Sequence, residues 1–427
     1  MLLREKCLRA AQDPHKALAR LALQLHKLSS ENSFYRSFVQ VFDQALSKNE
    51  PSPQGSLWGA SFAAKDNMMI RGYPTSFGIK PEVIAQAELT ARSISDLQQC
   101  GATLFGSSNL DELCLTHDGS NSFFGRVVNP LDAGLRVLGS SCGAAAAVAH
   151  GQVDFALGTD FGGSIRMPAA SCGLCGFKPS PAFLPESGIL LLSETLDTCG
   201  LLTKYSDDAV FILESLGKRV QQAVDIGSTT FLIPKAKHST MLDEAMAACF
   251  EQILTRLRGQ CSVREWDLDI SFEEILETRK ILAIEHCARK IEELGISPST
   301  LPAAGKAVIL FFKELSIARR AAALCRAQEI SSLLAAAIPS RSILLTPTLP
   351  VPVPAISNQM SSSSDPVPLN LFLAVANLCG LPSLALPTDL KVGSLPFSVQ
   401  LVGPSKTDMQ LLALGSEFER KVCAAPE

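Results

Sequence analysis

Between Leu138 and Ser180 two loops of glycine and serine, Gly139-Ser140-Ser141 and Gly162-Gly163-Ser164, bracket an alanine-rich run and an apolar one. The order predicts a loop, a helix over 143–150, a strand over Val153–Leu157, a second loop and a short helix over 165–173. Glycine lets a backbone take positive φ and approach another group closely. Successive backbone N–H groups in such a loop form a cradle for negative charge. One glycine-rich turn is shared by any tight turn. Two that end on hydroxyls, with Ser140 and Ser164 set 24 residues apart (164 − 140), are a much narrower specification.

The same alternation runs through the neighbouring chain. Residues 58–64 are short and apolar, as in a buried strand. Residues 85–100 have helical spacing (Ala87, Ala91, Ile94, Leu97) and stop at Gly101, and Ala102–Phe105 reads as the next strand. Strands alternating with helices give an α/β class, a mixed β-sheet core covered by helices. Residues 14–30 form an amphipathic helix, with Ala17, Leu18, Leu21, Leu25 and Leu28 on one face and Leu23 off it. The division expected is a helical N-terminal segment, 1–56, followed by one catalytic domain, 57–427. Residues 210–345 read as mainly helical with solvated charged faces, and 350–368, rich in Pro and Ser, as a surface loop. Residues 366–388 lack charge, but Pro368, Gly380, Pro382 and Pro387 interrupt them, so they read as core and not as a membrane span.

Charge narrows the function. With 38 Lys+Arg against 42 Asp+Glu the net charge is -4, without the basic footprint of a nucleic-acid binder. Thirteen scattered cysteines, an odd number, fit a reducing compartment better than a disulfide scaffold. Cys172 and Cys175 form a lone C-x-x-C, read as buried thiols and not as a redox or zinc pair. The start Met1-Leu2-Leu3-Arg4 lacks an apolar signal core, and Glu5 and Asp13 among the early basic residues argue against a transit peptide, so a cytoplasmic enzyme is expected.

The stretch Gly158-Thr159-Asp160-Phe161-Gly162-Gly163-Ser164-Ile165-Arg166-Met167-Pro168 resembles the core motif of the amidase-signature family, and Ala63-Ala64-Lys65-Asp66-Asn67 resembles the segment that carries its lysine. Gly72–Gly78, Asn109–Gly125, Gly176–Pro179, Gly380–Pro382 and Gln400–Gly403 extend the likeness, strongly over 57–210, moderately over 345–420 and weakly between. The resemblance implies hydrolysis of a carboxamide, with Ser164 as nucleophile, Ser140 as bridging serine and Lys65 as base. It also implies an oxyanion hole from the backbone N–H groups of Phe161, Gly162, Gly163 and Ser164. Ser141, Thr159, Asp160 and Arg166 are expected to support the loops, and His117 to line the site or hold it.

Elementary chemistry agrees with those roles. A serine hydroxyl becomes nucleophilic when a base removes its proton. A lysine accepts a proton only when neutral, a form that burial favours; the run Phe62-Ala63-Ala64 supplies apolar surroundings. The chain departs from the family pattern at Leu138-Gly139, where Gly-Gly is usual, and at Cys142, where glycine is usual. These positions bear on the backbone path beside Ser140. No cofactor and no metal is implied; the expected partner is a small-molecule amide, with no nucleic acid and no membrane, and homo-oligomerisation stays open. Two other readings stand beside the amidase. One is the A subunit of glutamyl-tRNA(Gln) amidotransferase, suggested by Asn32–Gln40, although its Arg-Arg-Ile segment is not found between 275 and 320. The other is a non-catalytic amidase-like binding module, against which the presence of Lys65, Ser140 and Ser164 argues.

Overall fold

A computed structural model describes residues 1–46, 55–80, 82–220, 225–235, 241–266, 270–357 and 367–424. Their organising element is an 11-stranded mixed sheet in the order β1-β3-β2-β4-β6-β5-β10-β11-β9-β7-β8. At one edge lie β1 (Phe38–Val41), β3 (Thr103–Ser108), β2 (Ser61–Lys65) and β4 (Phe155–Asp160). The centre holds β6 (Thr198–Thr203), β5 (Cys175–Lys178), β10 (Ser383–Val392) and β11 (Leu395–Val402), and the far edge β9 (Ser342–Pro347), β7 (Thr230–Ile233) and β8 (Ser262–Glu265).

Three of these strands position the site. β2 runs parallel to both β3 and β4, with Ala64 level with Leu157. Lys65 and the pair Thr159-Asp160 therefore emerge together at the carboxyl ends of parallel strands, the usual position for a site in an open α/β sheet. Burial on both faces explains why Ser61–Lys65 and Phe155–Asp160 read as continuous apolar runs and not as alternating ones.

α4 (Cys142–Ala149) packs flat on that edge because its side chains are small; Ala144, Ala145, Ala146 and Ala147 are all buried. Its Gly143 touches backbone: a Cβ there would lie 2.3 Å from the Ser37 carbonyl oxygen and 2.5 Å from the Asn109 nitrogen. α5 (Arg166–Cys172) is wholly buried and ends on Gly173 at φ 64°, a left-handed cap. α2 (Pro14–Tyr35) lies against β1 and α1 (Leu3–Gln12) against α2, and α2 is longer than the 14–30 expected. Its Asp13 cap accepts from the Lys16 N–H, and Pro14 starts it.

The helix expected over 85–100 is a correction: only Arg92–Gln99, α3, is helical. Ala87 and Ala91 instead donate their N–H groups to Tyr73 and Met69 carbonyls, holding the preceding residues in an extended strap. The 210–345 region is mainly helical as expected, with α6 (Ser206–Ser215), α7 (Glu244–Arg258), α8 (Phe272–Glu293), α9 (Ala303–Glu314) and α10 (Ile317–Ala337). It also contains β7, β8 and the start of β9, strands the helical expectation omitted. Residues 370–386, including α11 (Ala374–Leu378), are nearly all buried, and among the described residues no helix is long and apolar enough to cross a membrane. The Ser361–Ser364 part of the expected surface loop lies outside the described residues.

Candidate active site

The ends of β2 and β4 bring Lys65 to the two glycine-serine loops. Lys65 is fully buried, and its Nζ donates to Ser140 Oγ at 2.8 Å and to Thr159 Oγ1 at 3.0 Å. Thr159 Oγ1 also accepts from Asn67 Nδ2 at 3.2 Å, and that amide donates to the Leu190 carbonyl at 3.0 Å. The lysine is thus held from two sides with its amino nitrogen against a serine hydroxyl. Gly139-Ser140 is a cis peptide bond.

Ser140 and Ser164 sit on adjoining loops, linked by the Ser141 N–H donating to the Ser164 carbonyl at 3.2 Å. Ser141 Oγ donates to the Thr159 carbonyl at 3.3 Å and so ties the first loop to β4. Ser164 is itself buried, and its Oγ has no hydrogen-bond partner among the described residues. Lys65 and Ser140 are thus in direct hydrogen-bond contact, while the neighbouring Ser164 hydroxyl is unengaged among the described residues.

Asp160 shapes the second loop. Its carboxylate accepts from the Gly163 N–H at 2.7 Å and the Ile165 N–H at 3.2 Å, and pairs with Arg166 through Nε and Nη2, both at 2.9 Å. Burial opposes charge on Asp160, but the Arg166 guanidinium outweighs it and holds the carboxyl well below the usual range. Arg166 is satisfied all round: Nη1 donates to the Leu373 carbonyl and to Gln400 Oε1, and Nη2 to Asn377 Oδ1. Asn377 donates back to the Asp160 carbonyl at 2.9 Å and its carboxylate at 3.0 Å. Gly163 takes φ 114°, and a Cβ there would strike Leu373 at 2.4 Å.

Two further acids lie within electrostatic reach of Lys65. Burial pushes Asp111 and Asp197 each up to about 7, with Lys65 pulling both the other way. Asp111 takes a thiol contact from Cys142, the residue that stands where the family pattern has glycine, at 3.6 Å. His117 lies beside the first loop, its carbonyl accepting from the Gly139 N–H at 3.1 Å; burial first, then Arg279, lowers its ring to about 4. It is uncharged at neutral pH. Cys172 and Cys175 are buried free thiols.

Sequence reasoning missed Asn377 and Arg279. Arg279, on α8, reaches the second loop, its Nη1 donating to the Phe161 carbonyl at 3.2 Å. Both stand in segments without a local motif, so only the tertiary fold reveals them. Among the described residues no group of His, Cys, Asp and Glu has metal-binding geometry.

The family model described as Amidase matches residues 20–240. The chain is 28% identical over 417 residues to the A subunit of glutamyl-tRNA(Gln) amidotransferase from Lawsonia intracellularis, covering 87% of this chain and 85% of that one. It is 38% identical over 219 residues to the indoleacetamide hydrolase of Pseudomonas syringae pv. syringae, covering 50% of this chain and 49% of the other. A solved amidase structure superposes with a TM-score of 0.89 at 28% identity, over 99% of this chain and 100% of its own.

Proposed function

The chain belongs to the amidase family, and on that premise we propose that it hydrolyses the carboxamide bond of a small amide through an acyl-enzyme on Ser164. The observation that carries this reading is the buried Lys65–Ser140 contact of 2.8 Å beside a second buried serine whose hydroxyl is unengaged among the described residues. Ser164 Oγ attacks the amide carbonyl carbon while its proton passes to Ser140 and from Ser140 to Lys65. The tetrahedral intermediate collapses as the C–N bond breaks, and Lys65 returns the proton through Ser140 to the departing ammonia or amine. Water then attacks the ester by the same route, releasing the carboxylate and restoring Ser164.

The developing oxyanion is assigned to the N–H groups of Phe161 and Gly162. The Gly163 N–H is already engaged by Asp160, so Gly163 serves to turn the loop. One well-aimed donor is worth roughly 3–4 kcal/mol of transition-state stabilisation. Thr159, Asp160, Arg166 and Ser141 act as positioning residues, because each bonds to the loops or to Lys65.

A fluorophosphonate probe should label wild-type protein at Ser164. Ser164→Ala should lose labelling and roughly 10,000-fold or more of amide turnover. Persistent labelling of that variant would remove Ser164 from the mechanism.

A second reading is favoured by one observation: the likeness to amidotransferase A subunits extends over most of both chains, whereas the likeness to indoleacetamide hydrolase covers about half. Under it the same serine releases ammonia from glutamine inside a multi-subunit assembly. The purified chain decides the matter. Ammonia release from small amides without a partner supports the hydrolase, and glutaminase activity appearing only with amidotransferase partner subunits supports the second reading.

A further inference from the structure

Arg279 is a buried cation that makes no salt bridge among the described residues. Only one hydrogen bond to the described residues is formed, from Nη1 to the Phe161 carbonyl at 3.2 Å. Nε has no partner among the described residues. The guanidinium lies over the Phe161 ring, 5.7 Å from its centroid. It also lies against Gly162: a Cβ on that glycine would be 2.7 Å from Nη1 and 3.2 Å from Nη2. The group therefore touches the loop whose next residues are Gly163 and Ser164.

Burying an unpaired ion costs several kcal/mol, so buried arginines ordinarily have a carboxylate opposite them. The acid within electrostatic reach is Asp160, and its carboxylate is filled by Arg166, the Gly163 and Ile165 N–H groups and Asn377. Arg166 and Lys178 also lie within reach of Asp160, so that carboxylate is shared among cations, while Asp408 and Asp197 face Lys178. Burial pulls Arg279 down only to about 10, and it remains a cation at neutral pH. With Nη1 engaged, the Nε–Nη2 edge keeps the parallel pair of N–H donors that matches a carboxylate. Gly162 has no side chain to screen that guanidinium from a molecule lying along the loop.

We propose that Arg279 anchors a carboxylate carried by the substrate, so that the preferred amides are ω-amides of dicarboxylic acids or closely similar anionic carboxamides. The proposal rests on Ser164 as the nucleophile but concerns a different group, and it can fail separately. An apolar set in the sequence, Leu371, Phe372, Leu373 and Val375, would by itself suit an aryl or alkyl amide. Those side chains are themselves fully buried, and the backbone beside them is engaged: the Leu373 carbonyl accepts from Arg166 and the Phe372 carbonyl from Gln400.

The test uses pairs that differ by a carboxylate for a methyl group: succinamate with butyramide, and glutaramate with valeramide. In wild-type protein kcat/KM should favour the charged member of at least one pair by roughly 30-fold or more, the scale of a buried charge pair. Arg279→Met should erase that preference through KM while fluorophosphonate labelling of Ser164 persists. If Arg279→Met fails to fold, Arg279→Lys, which keeps the charge but not the two-pronged edge, should still cut the preference at least tenfold or so. Equal or better turnover of the neutral members of both pairs overturns the proposal, as does a variant that lowers both members alike. Calorimetric titration of glutaramate and succinamate into Ser164→Ala separates the two claims. Binding that disappears in Ser164→Ala/Arg279→Met upholds the anchor even where no amide is hydrolysed. Hydrolysis without any carboxylate preference upholds Ser164 and ends the anchor.

Discussion

The two arginines beside Asp160 belong to regions that handle charge in opposite ways. Arg166 stands in the motif-bearing region between Leu138 and Ser180, where short elements cross, and its own contacts are complete: a bidentate carboxylate, an amide on either side and a carbonyl. Arg279 comes from the helical layer of α8 to α10, reaches the same loop and makes one hydrogen bond to the described residues. The first region is built as a closed polar network, which fixes a loop geometry before any ligand arrives. The second contributes a single ion to a place where its satisfaction must come from elsewhere. On the proposed function, the contrast separates what holds the reacting groups from what would select the molecule they act on.

The largest effect available is at the centre of the network. Lys65→Ala should reduce amide turnover by roughly 1,000-fold or more, since the Ser140 hydroxyl would lose the group it contacts at 2.8 Å. A rate near wild type in a correctly folded variant would show that the closed region is structural scaffolding and nothing more. Next in size is a stability contrast between the arginines. Arg166→Met leaves Asp160 buried and ionised without its partner and should cost about 3–5 kcal/mol. Arg279→Met removes a buried ion that makes no salt bridge among the described residues, so it should leave stability unchanged or raise it by about 1–2 kcal/mol. Urea unfolding of the two variants reads both. Equal destabilisation would mean that the two regions treat their arginines alike, and the comparison would collapse.

What the sequence revealed follows the same division. Lys65, Ser140 and Ser164 stand in segments whose short-range texture, glycine next to hydroxyl or lysine at the end of an apolar run, betrays them. β2, β4, α4 and α5 could be read from the same segments because both faces are buried and periodicity is simple there. Arg279 sits in Glu277-Thr278-Arg279-Lys280, a run that on a helix reads as any solvated charged face, and only the packing of α8 against the loop turns it inward. Asn377 lies in an apolar stretch with no companion motif, although its amide bonds Asp160, Arg166 and Leu196 together. β7 and β8 escaped notice because four-residue strands amid long helices leave too little pattern. The strap at 85–91 misled for a different reason: its alanines have helical spacing, but long-range hydrogen bonds to Tyr73 and Met69 override a weak local preference.

The smallest effect lies beside the first loop, where Asp111, whose N–H donates to the Ser140 carbonyl at 3.3 Å, is an incompletely satisfied acid. Its Oδ2 has no hydrogen-bond partner among the described residues, and burial pushes its carboxyl up to about 7, against an ordinary value of 3.8. Between those values the folded chain keeps the proton while the unfolded chain has lost it. The stabilisation is therefore fully present below about pH 4 and is lost as pH rises towards 7, above which the slope vanishes. Asn at this position stays neutral throughout. The stability of Asp111→Asn relative to wild type should thus rise across that window and then level off. Asp66 and Asp197 are likewise raised to about 7, but they are common to both proteins and cancel in the difference. The new amide N–H group needs an acceptor and takes back part of the gain, leaving about 1–2 kcal/mol at pH 8. Thermal unfolding of the two proteins at pH 5, 6, 7 and 8 measures it. A difference that stays flat with pH would mean that Asp111 is ionised in the folded chain at pH 5, and that the network around Lys65 accommodates a second buried charge without help.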